Sequence, residues 1–151
     1  MKLAEALILR ADHQKRIEQL KQRLYRNAKV QEGEIPGENP EELLTEIDQI
    51  TADLLQLIQR INATNATTVL SDGQTISDAI ATRDILSIKQ KILRELATSA
   101  AITQERYTKS EVKFKSTVNV PDLQKQADAL ARKYRELDTL IQEANWLTEL
   151  K

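Results

Sequence analysis

Apolar residues recur at steps of three and four over most of the chain, the spacing that gathers them on one face of an α-helix. It predicts a first helix over about 3–28, with Leu3, Leu7, Ile17, Leu20, Leu24 and Ala28 on or near one stripe and good helix formers between them. The stripe has a gap. Between Leu9 and Ile17 the only apolar residue is Ala11, and Arg10, Asp12, His13 and Gln14 stand where core side chains are expected. A second helix is predicted over about 40–62: Asn39-Pro40-Glu41-Glu42 supplies an N-cap, a proline at the first helical position and acids in the first turn. Leu43, Ile47, Ile50, Leu54, Leu57 and Ile61 follow at heptad spacing, and Leu44, Leu55 and Ile58 widen their stripe.

Ser77 can cap a third helix over about 77–106, whose expected buried face is Ala81, Ile85, Ile88, Ile92, Leu96 and Ile102. Pro121 opens a fourth over about 121–149, with Leu123, Ala127, Leu130, Tyr134, Leu137, Ile141 and Ala144 as its seam and Leu140 and Leu147 beside it. The intervals carry turn signals. Gly33, Pro36 and Gly37 mark a loop over 30–39, and the run Asn62 to Thr68 reads as the capped end of the second helix. Thr67–Leu70 and Gln74–Ile76 flank Ser71-Asp72-Gly73, which predicts a small β-hairpin over about 67–76, and residues 111–118 read as one more short strand.

The expected fold is therefore mainly α: a single domain over 1–151 forming an antiparallel long-helix, four-helix bundle, or coiled-coil hairpins, with a small β-hairpin. Helices of this length span roughly 30–40 Å, and seams this wide cover either a bundle core or a subunit interface. A homo-oligomer is the expected partner arrangement.

Composition narrows the classes. With 3 Gly and 3 Pro among 151 residues, 40% hydrophobic and 30% charged, the chain suits long solvated helices better than turn-rich sheets. It has no cysteine, which removes disulfides, thiolate chemistry and Cys-based zinc sites. The opening residues read as no export signal and no stretch is long enough to span a bilayer, so a cytoplasmic, non-membrane location is expected. The net charge of −1 disfavours a general polyanion binder. The charge is nevertheless segregated: residues 10–29 hold seven basic side chains against Asp12 and Glu18, whereas residues 32–53 are purely acidic. Two helices folded back on each other would neutralise these runs, which is the preferred reading over a nucleic-acid face.

Candidate chemistry is sparse. A single histidine and no Glu-x-x-His pair exclude a bundle dimetal site, and no phosphate loop, dinucleotide fingerprint or nucleophile elbow occurs, so neither metal nor cofactor is expected. One polar cluster stands out: Arg10 and His13 in the gap of the first helix, Asn62 and Asn65 at the end of the second, and Arg83 and Asp84 in the third. An Arg–Asp pair in low dielectric with a histidine beside it suits an anionic ligand or acid–base work; the alternative is a structural ion pair or a register-setting polar layer. Arg106, Lys109, Lys113 and Lys115, with Tyr107 and Phe114 among them, form a basic patch whose simplest role is protecting a strand edge rather than holding nucleic acid. The lone Trp146 reads as a packing or subunit anchor.

Several segments carry a resemblance: Lys2-Leu3-Ala4-Glu5-Ala6-Leu7 with Arg10-Ala11-Asp12, Val30-Gln31-Glu32-Gly33-Glu34, Arg60-Ile61-Asn62-Ala63-Thr64-Asn65, Arg83-Asp84, Glu136-Leu137-Asp138-Thr139 and Asn145-Trp146. Over nearly its whole length the chain resembles the small bacterial family often labelled septicolysin. The resemblance implies a bacterial origin and a helical fold and transfers no catalytic residue. The toxin activity in the label does not follow, because thiol-activated cytolysins carry a cysteine in a Trp-rich loop, and this chain has no Cys and one Trp. The reading favoured by the residues is a non-enzymatic, homo-oligomeric interaction or structural protein, with an unidentified protein as a further partner.

Overall fold

The computed structural model describes residues 1–101 and 113–151. Four helices follow one another: α1 (Leu3–Arg26), α2 (Pro40–Thr67), α3 (Ile76–Ala100) and α4 (Val120–Leu147). The protein is thus mainly helical, as the apolar periodicity requires, and a helical-bundle class fits it. Two compact units make it up, one of Met1–Ile76 with Gln142–Lys151 and one of Ser77–Ile141, so α4 begins in the second and ends in the first.

In the first unit α1 and α2 form an antiparallel hairpin. Arg16 pairs with Glu46 at 2.5 Å and, further along α1, Arg23 pairs with Glu38, just before α2. As one partner advances along the chain the other retreats. The basic run of α1 is therefore neutralised by the acidic run that follows it. Asn27 closes the connection, its Nδ2 donating to the Arg23 carbonyl at 2.8 Å while its Oδ1 accepts from the Glu38 N–H at 3.0 Å. The α2 start is built as its residues demand, with Pro40 at N1 and the Asn39 Oδ1 accepting from the Glu41 N–H at 2.9 Å. Leu3, Ala6, Leu20, Leu43, Leu57 and Ile61 are buried; each large one is worth about 1.5–3 kcal/mol when withdrawn from water.

Two expectations about the segment after α2 are corrected. The Asn/Thr-rich run is not a cap region but the last turns of the helix itself, which continues to Thr67 with its threonine hydroxyls satisfied inside the helix by carbonyls four residues earlier: Thr64 to Arg60 and Thr67 to Ala63, each at 2.8 Å. The predicted β-hairpin does not form strands. Val69 and Thr75 make one isolated antiparallel bridge around a turn whose Gly73 has φ +89°, a conformation glycine adopts without strain. Too few residues separate α2 from α3 for a ladder. Among the described residues there is no sheet, and Lys113–Val118 are irregular; the rest of the expected strand, like the expected α3 extension through Ile102 to Arg106, lies outside the described residues.

The chain ends are joined within the first unit. Leu3 N–H donates to the Thr148 carbonyl and Leu150 N–H to the Met1 carbonyl, both at 2.9 Å, and the Lys2 ammonium meets Glu149 at 2.6 Å. Thr64, fully buried, accepts from the Lys151 N–H at 3.0 Å, and Arg60 Nε donates to the Lys151 carbonyl at 2.8 Å. The last residues are thereby fastened to the end of α2.

In the second unit α3 and α4 also run antiparallel, since Arg83 pairs with Asp138 and Arg94 with Asp128. Ala79 and Ala97 on α3, and Ala127, Ala131, Leu137 and Ile141 on α4, are buried.

Candidate interaction surface

The face of α3 expected to be buried is the exposed one. Ile85, Ile88 and Ile92 are each more than half exposed and Leu96 is 40% exposed, while Ala79, Arg83, Leu86, Gln90, Leu93 and Ala97 are buried or half-buried. Both sets repeat at steps of three and four. The second set includes Arg83, which reaches Asp138 of α4, and it defines the side of α3 turned to its hairpin partner. The isoleucines sit mostly two positions further on, roughly 200° around a helix of about 3.6 residues per turn. Thus α3 carries two opposed apolar stripes, and only one has a partner in the hairpin. Along one border of the outer stripe a shallow apolar groove runs between the helices, lined by Lys89, Ile92 and Leu93 of α3 and Gln126, Ala129 and Leu130 of α4.

Charges flank the outer stripe. Asp84 lies on one border with its side chain 60% exposed, and Lys91 follows two turns later at 76%, paired with Glu95 at 3.8 Å.

The residues proposed from sequence as a polar site divide between the two units. Arg10 and His13 are half-buried on α1, at heptad spacing from Leu3, Ala6, Ile17 and Leu20, so the polar gap does fall on the packed side of that helix. Asn62 is exposed and Asn65 half-buried in the last turns of α2. Arg83 is saturated from within its own hairpin: Nη1 donates to Asp138 at 2.8 Å, and Nε and Nη2 donate to Asp84 at 3.3 and 3.2 Å. Burial of the guanidinium opposes its charge, but the hydrogen bonds it donates to Asp138 and Asp84 outweigh this and raise its pKa. Asp84 does not face inward, as its place beside Ala81 and Ile88 suggested, because that whole stripe faces out. Asp138 was missed; the antiparallel register of α3 on α4 is the signal that identifies it.

Among the described residues no group of three or more metal-ligating side chains is gathered, no buried side-chain nitrogen or oxygen lacks a hydrogen-bond partner, and no helix is long and apolar enough to cross a membrane. Lys113 and Lys115 are exposed with Phe114; Arg106, Tyr107 and Lys109 lie outside the described residues.

Residues 10–150 match the model of a family whose function is unknown. The chain is also similar to a functionally unknown conserved protein from Corynebacterium diphtheriae whose crystal structure has been determined. The two share 44% sequence identity with a TM-score of 0.93, over 100% of this chain and 99% of the other. No curated protein matches the chain.

Proposed function

Because the chain belongs to the family of unknown function DUF6847, we propose its role from its own surface: a non-enzymatic interaction protein that self-associates through the outer stripe of α3. The observation that carries this reading is the set Ile85, Ile88, Ile92 and Leu96, four large aliphatic side chains in line on one helix and all exposed. Scattered exposed leucines are ordinary; a contiguous row at steps of three and four is the pattern helices present to other helices. The polar cluster gives less support to a ligand site, since Arg83 already spends its charge on two aspartates. The septicolysin-like segments add a bacterial setting to this reading and no activity.

Sedimentation velocity tests it. The wild-type chain is expected to sediment as a dimer or larger species at micromolar concentration, and Ile88→Glu as a monomer with unchanged helical circular dichroism. A wild-type chain that stays monomeric at every concentration rejects the reading.

A further inference from the structure

The outer stripe of α3 also specifies how a second copy would meet it. We infer that two chains pair α3 against α3 in antiparallel, with Asp84 of each copy facing Lys91 of the other; this rests on the self-association proposed above. Three observations lead to it. First, when two copies of the stripe are laid antiparallel so that Ile85 meets the second copy's Ile88, Ala81 meets its Ile92, and the two-fold axis repeats both pairs. Four successive layers are then wholly apolar. Second, in this register the border residue Asp84 lies across from the other copy's Lys91, and symmetry makes the pair twice, as an isologous interface requires. Residues on the borders of a helix seam are the ones that set partner choice and orientation. Both side chains are largely exposed, so their charged ends are accessible, and Lys89 on the opposite border faces the neutral Thr82; beyond the four apolar layers the register sets Asp78 against the other copy's Glu95 and Leu96 against its Ser77, so the apolar contact ends there. Third, antiparallel pairing opposes the two helix dipoles, whereas parallel pairing aligns them. Parallel pairing would instead bring Asp84 to the other copy's Lys89, and this makes the two arrangements separable by experiment.

The test uses charge reversal and mixing. Asp84→Lys creates two Lys–Lys pairs in its own homodimer and Lys91→Asp creates two Asp–Asp pairs, so each variant alone is expected to dissociate roughly tenfold more readily than wild type. A mixture of the two regenerates both opposite-charge pairs and is expected to form a heterodimer within about threefold of wild-type affinity. Circular dichroism of each variant checks that it is folded, and recovery in the mixture cannot arise from an unfolded component. Recovery with Asp84→Lys plus Lys89→Asp, but not with Lys91→Asp, overturns the antiparallel arrangement in favour of the parallel one. Association that is abolished by Ile88→Glu yet indifferent to all three charge reversals rejects the pairing while leaving self-association through α3 standing. A monomeric wild type removes both.

Discussion

Arg83 donates to Asp138 at 2.8 Å across the α3/α4 hairpin, with the arginine side chain 22% exposed and the aspartate 34% exposed. An arginine at a seam position is tolerated because its charge is met there by a carboxylate; the pair also sets which residues of the two helices stand opposite each other. Removing only one partner leaves a half-buried charge uncompensated, whereas replacing the arginine by an apolar side chain removes the need for compensation. Asp138→Ala is therefore expected to lower stability by about 1–2 kcal/mol, Arg83→Leu by less, and the more exposed Asp84→Asn by under about 0.5 kcal/mol. Urea unfolding followed by circular dichroism reads all three. An Asp138→Ala variant as stable as wild type would show that the pair does not hold the hairpin.

A buried isoleucine of α2 and an exposed one of α3 predict opposite responses to truncation. Ile61 of α2 is 1% exposed, and Ile61→Ala should cost about 2–5 kcal/mol through lost burial and the cavity left behind. Ile88 is 55% exposed, and at concentrations where the chain is monomeric Ile88→Ala should change stability by no more than about 0.5 kcal/mol. Raising the protein concentration should widen the gap between Ile88→Ala and wild type, because association stabilises only the species that associates. A large loss at high dilution would mean that the stripe is covered within a single chain.

Most of the helical architecture was legible because heptad spacing survives in every helix, and Asn39-Pro40 and Pro121 mark two helix starts that the structure places at Pro40 and Val120. The face of α3 was not legible. Its outer stripe of isoleucines is more hydrophobic than its inner one, which is diluted by Ala79, Arg83, Gln90 and Ala97, so ranking by hydrophobicity selects the wrong side. Small residues permit close approach to α4, and the arginine is neutralised by a residue 55 positions away. No local pattern contains that information. The end of α2 was misread for a related reason: Asn and Thr favour caps and turns when solvated, but Thr64 is fully buried and satisfies its hydroxyl within the helix. Of the polar residues in the α1 gap, Arg10 and His13 are half-buried while Asp12 and Gln14 are exposed, and Arg83 draws both its carboxylates from its own hairpin.

Acid should weaken the ion pairs that hold the first unit. The hydrogen bond from Arg23 holds the Glu38 carboxyl below its usual range, and Lys2, with the Met1 amine, does the same for Glu149. In both cases the folded-state value is depressed, so the unfolded chain takes up protons first as pH falls. The stabilisation is complete above the ordinary carboxylate value of about 4.3 and is lost as pH drops through the lower folded-state values. The melting temperature should be level from neutrality to about pH 5.5 and fall below about pH 4.5, with a shallower fall in a Glu38→Gln, Glu149→Gln double variant. Parallel acid profiles for the variant and wild type would exclude these pairs as the cause.

Thr64 offers the most local test, because one hydroxyl serves two bonds. Its Oγ1 donates to the Arg60 carbonyl at 2.8 Å and accepts from the Lys151 N–H at 3.0 Å, with the side chain wholly buried. Thr64→Val keeps the shape and removes both bonds. The Arg60 carbonyl loses little, since it retains its helical partner, but the part-buried Lys151 N–H loses its acceptor. The expected cost is about 1–2 kcal/mol, with Thr64→Ser recovering much of it by restoring the oxygen. The sharper readout is amide exchange at Lys151, which should rise several-fold in Thr64→Val while the Leu3 amide, bonded to the Thr148 carbonyl, exchanges as before. Equal acceleration at both amides would mean that the whole terminal junction opens as one piece and that Thr64 holds it together rather than only its last residue.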